Sequence, residues 1–170
     1  MNPHHSARPL VTTFLQALGL EEQLLREALA NVTELHAALC RGDLAAARTT
    51  CAGQQQLATA LHDAAAARAV AATNLARELE LPGEGLTLSA LAAKLPAELA
   101  ADVLAARTRL SALTSELVAI QARNANLISH LRSFFRGVLS GLPAADAPPR
   151  YGPTGRRLEP NTWIPIPTCG

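Results

Sequence analysis

Residues 96–140 read PAELAADVLAARTRLSALTSELVAIQARNANLISHLRSFFRGVLS, and their spacing sets the architecture. Leu99, Val103, Ala106, Leu110, Leu113, Leu117, Ile120, Asn124, Leu127, Leu131, Phe134 and Val138 follow one another at alternating steps of four and three. No step is missed. Alternation of this kind keeps one stripe of side chains on a single face of an α-helix and is the coiled-coil repeat. Pro96 suits a first helical turn, where its missing N–H would be unpaired anyway, and Glu98 complements the positive helix end. At 1.5 Å per residue such a helix is about 65–70 Å long. A rod of that length draws its stability from packing, so it needs partners along its side.

Two partners lie upstream. A helix from about Pro9 to Cys40 carries the seam Phe14, Leu18, Glu21, Leu25, Ala28, Val32, Leu35 and Leu39, interrupted only by Glu21. Leu15, Leu24 and Leu29 widen the stripe, as a bundle helix requires. At Arg41-Gly42-Asp43, Gly42 can take the left-handed conformation that ends a helix and Asp43 can cap the next one. These residues also spell an integrin-binding tripeptide, but the capping chemistry accounts for them. So short a turn makes the flanking helices antiparallel neighbours. The second helix is predicted from Leu44 to about Glu80, with the seam Leu44, Ala47, Cys51, Ala58, Leu61, Ala65, Ala72, Leu75 and Leu79. Its small residues let helix axes approach toward about 8 Å. Leu81-Pro82-Gly83-Glu84-Gly85 breaks the helix, and a short one follows from about Leu88 to Leu95, with Thr87 as a candidate cap. The predicted fold is all-α: an elongated antiparallel bundle, or coiled coil, of three long helices plus a short connector helix. Residues 1–8 would be a flexible N-terminus, 9–142 the bundle, and 143–170 a disordered Pro-rich tail holding seven of the eleven prolines.

Composition narrows the function. Of the 170 residues, 49% are hydrophobic but only 3% aromatic, and much of the apolar content is alanine. That suits thin helical rods better than a globule around a deep pocket. The net charge is +1, with no basic stripe interleaved with aromatics, which disfavours nucleic acid as a partner. Three cysteines, Cys40, Cys51 and Cys169, form no disulfide framework and fit a reducing compartment. Met1–Pro9 does not read as a signal peptide, and His62, Asp63 and Arg68 break the apolar stretch from Ala58 to Ala72, so membrane insertion is not expected. Cytoplasmic placement follows as the default.

No catalytic constellation is legible. There is no nucleophile elbow, phosphate-cradling loop, Cys-x-x-Cys or paired Glu-x-x-His, so no enzyme activity, metal or cofactor is expected. His36 and Cys40, four apart, can share a helix face, but two ligands do not make a zinc site. Glu21, Glu22 and Glu27 read as a solvated helix face. Asn31-Val32-Thr33 matches a glycosylation acceptor but falls mid-helix.

Binding features concentrate toward the C-terminus. Leu127, Ile128, Leu131, Phe134, Phe135, Val138, Leu139 and Leu142 span more than one helix face, so one face is expected to meet the bundle and another to be left for a partner. Asn124 is the polar residue of the cleanest seam. Either it bonds a facing side chain within the bundle, or it marks where the bundle's own packing stops and a partner helix begins. In the tail, Tyr151 and Trp163 are the single tyrosine and tryptophan of the chain. They either fold back onto the helices or anchor a partner.

Four stretches together resemble the FlgN family of flagellar export chaperones: Gly42-Asp43-Leu44 with Leu57 and Arg68 downstream; Leu86-Thr87-Leu88-Ser89-Ala90-Leu91; Arg123-Asn124-Ala125-Asn126-Leu127-Ile128; and Tyr151-Gly152-Pro153-Thr154-Gly155. The likeness runs from roughly Leu15 to Gly155. It implies a small cytoplasmic helical type III export chaperone, not an enzyme. Such a protein binds the C-terminal helices of hook-associated proteins at the hook–filament junction, keeps them from assembling early, and delivers them to the export gate or export ATPase complex. It also implies that cargo binding falls on Asn124, Leu127, Ile128, Leu131, Phe134, Phe135 and Val138, and gate docking on Tyr151. Gln54 stands where the family usually has lysine, and the tail beyond Arg156 has no counterpart. The heptads alone also fit a self-associating coiled-coil scaffold or adaptor, and a weak homodimer stays open.

Overall fold

The computed structural model describes residues 3–82 and 86–141. In chain order they form α1 (Pro3–Arg41), α2 (Leu44–Glu78), α3 (Leu88–Ala92) and α4 (Ala97–Gly141). The all-α prediction holds, with its long helices packed together. Met1 and Asn2 of the N-terminal segment, and the whole 143–170 tail with Tyr151 and Trp163, lie outside the described residues. α1 begins ahead of the predicted start and carries Pro9 inside it. A proline in the opening turns removes a single backbone donor, which a long helix tolerates.

The helix ends follow local chemistry. α1 closes with Gly42 at φ +70°. The Gly42 N–H bonds the Leu39 carbonyl and the Asp43 N–H the Ala38 carbonyl, which is the Schellman arrangement. Asp43 then caps α2 by accepting from the Ala46 N–H at 3.0 Å. α2 ends in the same arrangement, Glu80 to Arg77 and Leu81 to Ala76, but Glu80 holds the left-handed position at φ 56°. Thr87 caps α3 by accepting from the Ala90 N–H at 3.1 Å.

Packing separates residues 1–130 from residues 131–170. In the first unit α1 and α2 are antiparallel. Glu21 pairs with Arg68, and Asn31 donates to the Thr50 carbonyl at 3.3 Å. Their Cα atoms come within 8 Å of each other, as a seam of small residues allows. α4 runs parallel to α1: Arg109 bonds Glu22 at 2.9 Å and Asn124 meets His36 at 2.8 Å, separations of 87 and 88 residues along the chain. One apolar cluster joins Val11, Phe14 and Leu18 to Ala72, Leu75, Leu91 and Val103, and so involves all four helices. A second joins Leu25, Ala28 and Val32 to Leu117, with Leu61, Leu113 and Ile120 against it.

Between the clusters lies a charged layer. Glu22 is buried and accepts from Arg26 and Arg109, while Glu21 meets Arg68. The expectation that Glu21 and Glu22 face solvent is therefore corrected, whereas Glu27 is exposed. Glu21 interrupts the α1 seam because an arginine from α2 answers it. The arginines keep much of their own surface in water, which lowers the cost of burying the carboxylate.

The α2 seam is also corrected. Leu44, Cys51 and Ala58 are exposed. The covered face runs through Ala47, Thr50, Gln54, Leu57, Leu61, Ala64, Arg68, Ala71 and Leu75, again at steps of three and four. Three of these are polar, so a search for apolar residues alone drifts off the face.

The second unit is described as far as Gly141 and consists of the last turns of α4. Leu131 is half-buried there, and Phe134, Phe135, Val138 and Leu139 are exposed.

Candidate binding surface

Exposed apolar surface is expected to be scattered on a soluble helical protein; a concentration of it marks a contact site. Among the described residues, five of the ten large hydrophobic side chains left exposed lie between Ile128 and Leu139. Their exposures are 45% for Ile128, 64% for Phe134, 50% for Phe135, 46% for Val138 and 67% for Leu139. The α-helical period explains their arrangement. Within the second unit, Leu131, Phe134 and Val138 share one stripe, and Phe135 and Leu139 lie beside it. The two phenyl rings meet edge to face, with centroids 5.6 Å apart and planes at 70°. That geometry makes them one aromatic block on the helix surface.

Burial along α4 changes at Asn124. Val103, Ala106, Leu117 and Asn124 are buried, Asn124 is the last buried residue of the helix among those described, and Leu127 is only half-covered. The Asn124 carboxamide is fully engaged with α1. Its nitrogen donates to the Val32 carbonyl at 2.9 Å, and its oxygen lies 2.8 Å from His36 Nδ1. Of the two roles open for Asn124 in the sequence, bonding within the bundle is what the structure contains. The α1–α4 offset of 88 residues sets Arg41, the end of α1, level with Ser129, near the end of the first unit.

Asn124, Leu127 and Ile128 belong to the first unit, and Leu131, Phe134, Phe135 and Val138 to the second. Tyr151 is outside the described residues. Among the described residues no group of three or more His, Cys, Asp or Glu is placed to hold a metal ion. One open groove among the described residues is lined by Glu21, Arg68, Arg107, Leu110, Ser111 and Val118, without the enclosure of a small-molecule pocket. No described helix is long and apolar enough to cross a membrane. The interhelical polar contacts, Glu22 with Arg109 and His36 with Asn124, escaped sequence reasoning. The partners are 87 and 88 residues apart, and only the seam position of Asn124 gave a signal.

Comparison with known proteins gives one result. The model of a known family, described as FlgN protein, matches residues 1–159. No curated protein and no solved structure matches the chain.

Proposed function

The chain belongs to the FlgN family, a family of flagellar export chaperones, and on that basis we propose that it binds the C-terminal helices of hook-associated proteins in the cytoplasm. It holds these subunits unassembled and delivers them to the export gate or export ATPase complex. The cargo face is the end of α4, through Leu127, Ile128, Leu131, Phe134, Phe135 and Val138, with Asn124 closing the bundle at its inner edge. Tyr151 is assigned to gate docking.

The observation that supports this most is the block of exposed Phe134, Phe135, Val138 and Leu139 on a helix more than long enough to pair with another. An amphipathic cargo helix whose apolar face awaits neighbours in the assembled filament is an aggregation hazard. A chaperone helix shields it by supplying a surrogate neighbour, the helix-in-groove mode of recognition. Release at the gate requires moderate affinity, on the order of micromolar or about −8 kcal/mol.

The test is light scattering of the purified chain with and without the C-terminal segment of a hook-associated protein. A chaperone is a monomer or weak dimer that shifts to a complex of defined stoichiometry. A stable homo-oligomer whose size ignores the segment would contradict the assignment and favour a self-associating scaffold.

A further inference from the structure

The end of α4 carries a charge pattern that the fold itself does not use. Within residues 131–141, Phe134, Phe135, Val138 and Leu139 are exposed and Leu131 is half-buried. At about 100° per residue these side chains fill a sector of about 140°. Arg132 and Arg136 follow at about 20° and about 60° past Leu139, so both leave the helix along the same rim of the apolar sector. Both arginines are exposed. Among the described residues neither meets a carboxylate. The sequence offers none nearby: no Asp or Glu lies between Glu116 and Asp146, a stretch that holds Arg123, Arg132 and Arg136.

Ordinary helix chemistry does not account for the two arginines. A cation is favoured at a helix C-terminus, but that effect fades within the last turn, and the last turn of α4 holds no basic residue. Arg132 and Arg136 are four apart, a spacing at which like charges repel and weaken a helix slightly. Elsewhere the chain answers its arginines. Arg109, on α4 within the first unit, reaches Glu22 of α1 at 2.9 Å, and Arg68 of α2 meets Glu21. There an arginine beside an apolar contact between helices is matched by a carboxylate on the facing helix. Arg132 and Arg136 have no such match among the described residues.

We propose that the helix this face receives carries carboxylates of its own, three or four residues apart along one flank of its apolar stripe, and that Arg132 and Arg136 recognise them. The proposal rests on the reading of the end of α4 as the cargo face, and adds what distinguishes one amphipathic helix from another. Apolar contact is non-directional, and an apolar stripe alone lets a partner slide or reverse. Charges on a single rim fix which flank of the partner lies on which side of α4, and they penalise a basic helix. Arginine suits the task. Its planar fork matches a carboxylate with two parallel hydrogen bonds while its stem lies along the apolar sector. A lipid surface is a poorer match. Electrostatic attachment to anionic lipids takes a cluster of about four to eight basic residues, and residues 131–141 hold only Arg132 and Arg136.

The test titrates the full-length protein with the C-terminal segment of a hook-associated protein, at low salt and at about 0.5 M salt. Arg132→Glu with Arg136→Glu is expected to weaken binding about tenfold at low salt, and to come within about twofold of the native chain at high salt. Arg132→Lys with Arg136→Lys should stay within about threefold, since the charge is kept and only the fork is lost. Exchanging the segment's flanking carboxylates for lysine should restore binding to the charge-reversed variant and not to the native chain. Unchanged affinity after charge reversal, while Leu131→Asp with Phe134→Asp abolishes binding, would overturn the proposal and leave the cargo face standing. Normal binding by both double variants would remove the cargo face and the proposal with it. Loss of sedimentation on phosphatidylglycerol vesicles, at unchanged affinity for the segment, would assign the arginines to a membrane surface instead. Should the charge-reversed variant fail to fold, Arg132→Gln with Arg136→Gln takes its place. It is expected to lose about threefold at low salt, and no loss overturns the proposal.

Discussion

His36 and Asn124 join α1 to α4 across 88 residues of chain through a 2.8 Å hydrogen bond, at the level where the α1–α2 hairpin is about to end. A buried carboxamide in an otherwise apolar seam costs stability unless its bonds are made, and here both polar atoms are used. Asn124→Ala is expected to cost about 1–3 kcal/mol, because it leaves His36 without its buried partner. Urea unfolding would show a lower midpoint at unchanged slope.

The charged layer makes a second prediction. Glu22 is shared by Arg26 and Arg109, and its side chain is only 7% exposed. A double-mutant cycle with Glu22→Gln and Arg109→Met is expected to give a coupling of about 1 kcal/mol. The exposed Gln23–Glu27 pair is the control and should show coupling near zero.

The two helix ends built alike differ in the residue at the left-handed position. Gly42→Ala is expected to cost about 1 kcal/mol from backbone strain alone, since nothing lies within 4 Å of the added carbon. Glu80→Gly should stabilise the protein by about 0.5–1 kcal/mol for the same reason in reverse. Thermal unfolding of the two variants would move in opposite directions.

For the tail, Tyr151→Ala is expected to leave affinity for cargo unchanged and to weaken association with the export gate. Pull-down against each partner separately measures this, and equal loss of both would contradict a separate docking role.

Much of the fold was legible in the sequence because apolar spacing and turn chemistry agreed. Gly42, Asp43, Thr87 and Pro96 set helix boundaries within a few residues, and the α4 seam through Leu127 is covered. What escaped was polar. Thr50, Gln54 and Arg68 occupy the covered face of α2, which apolar periodicity cannot register, and Glu22 is buried only because Arg109 reaches it from another helix. The apolar excess around Phe134 and Phe135 was visible as side chains on more than one face. Which of those faces stays exposed is a matter of packing that periodicity within a single helix does not record.

The cargo assignment stands or falls on the end of α4. Titration of a hook-associated C-terminal segment should give micromolar binding to the native chain and to a Val70→Asp control, which alters an exposed apolar residue on α2. Leu131→Asp with Phe134→Asp, in a protein still helical and soluble, should lose at least about a hundredfold, roughly 2.7 kcal/mol. Normal binding by that double variant would place the cargo site elsewhere.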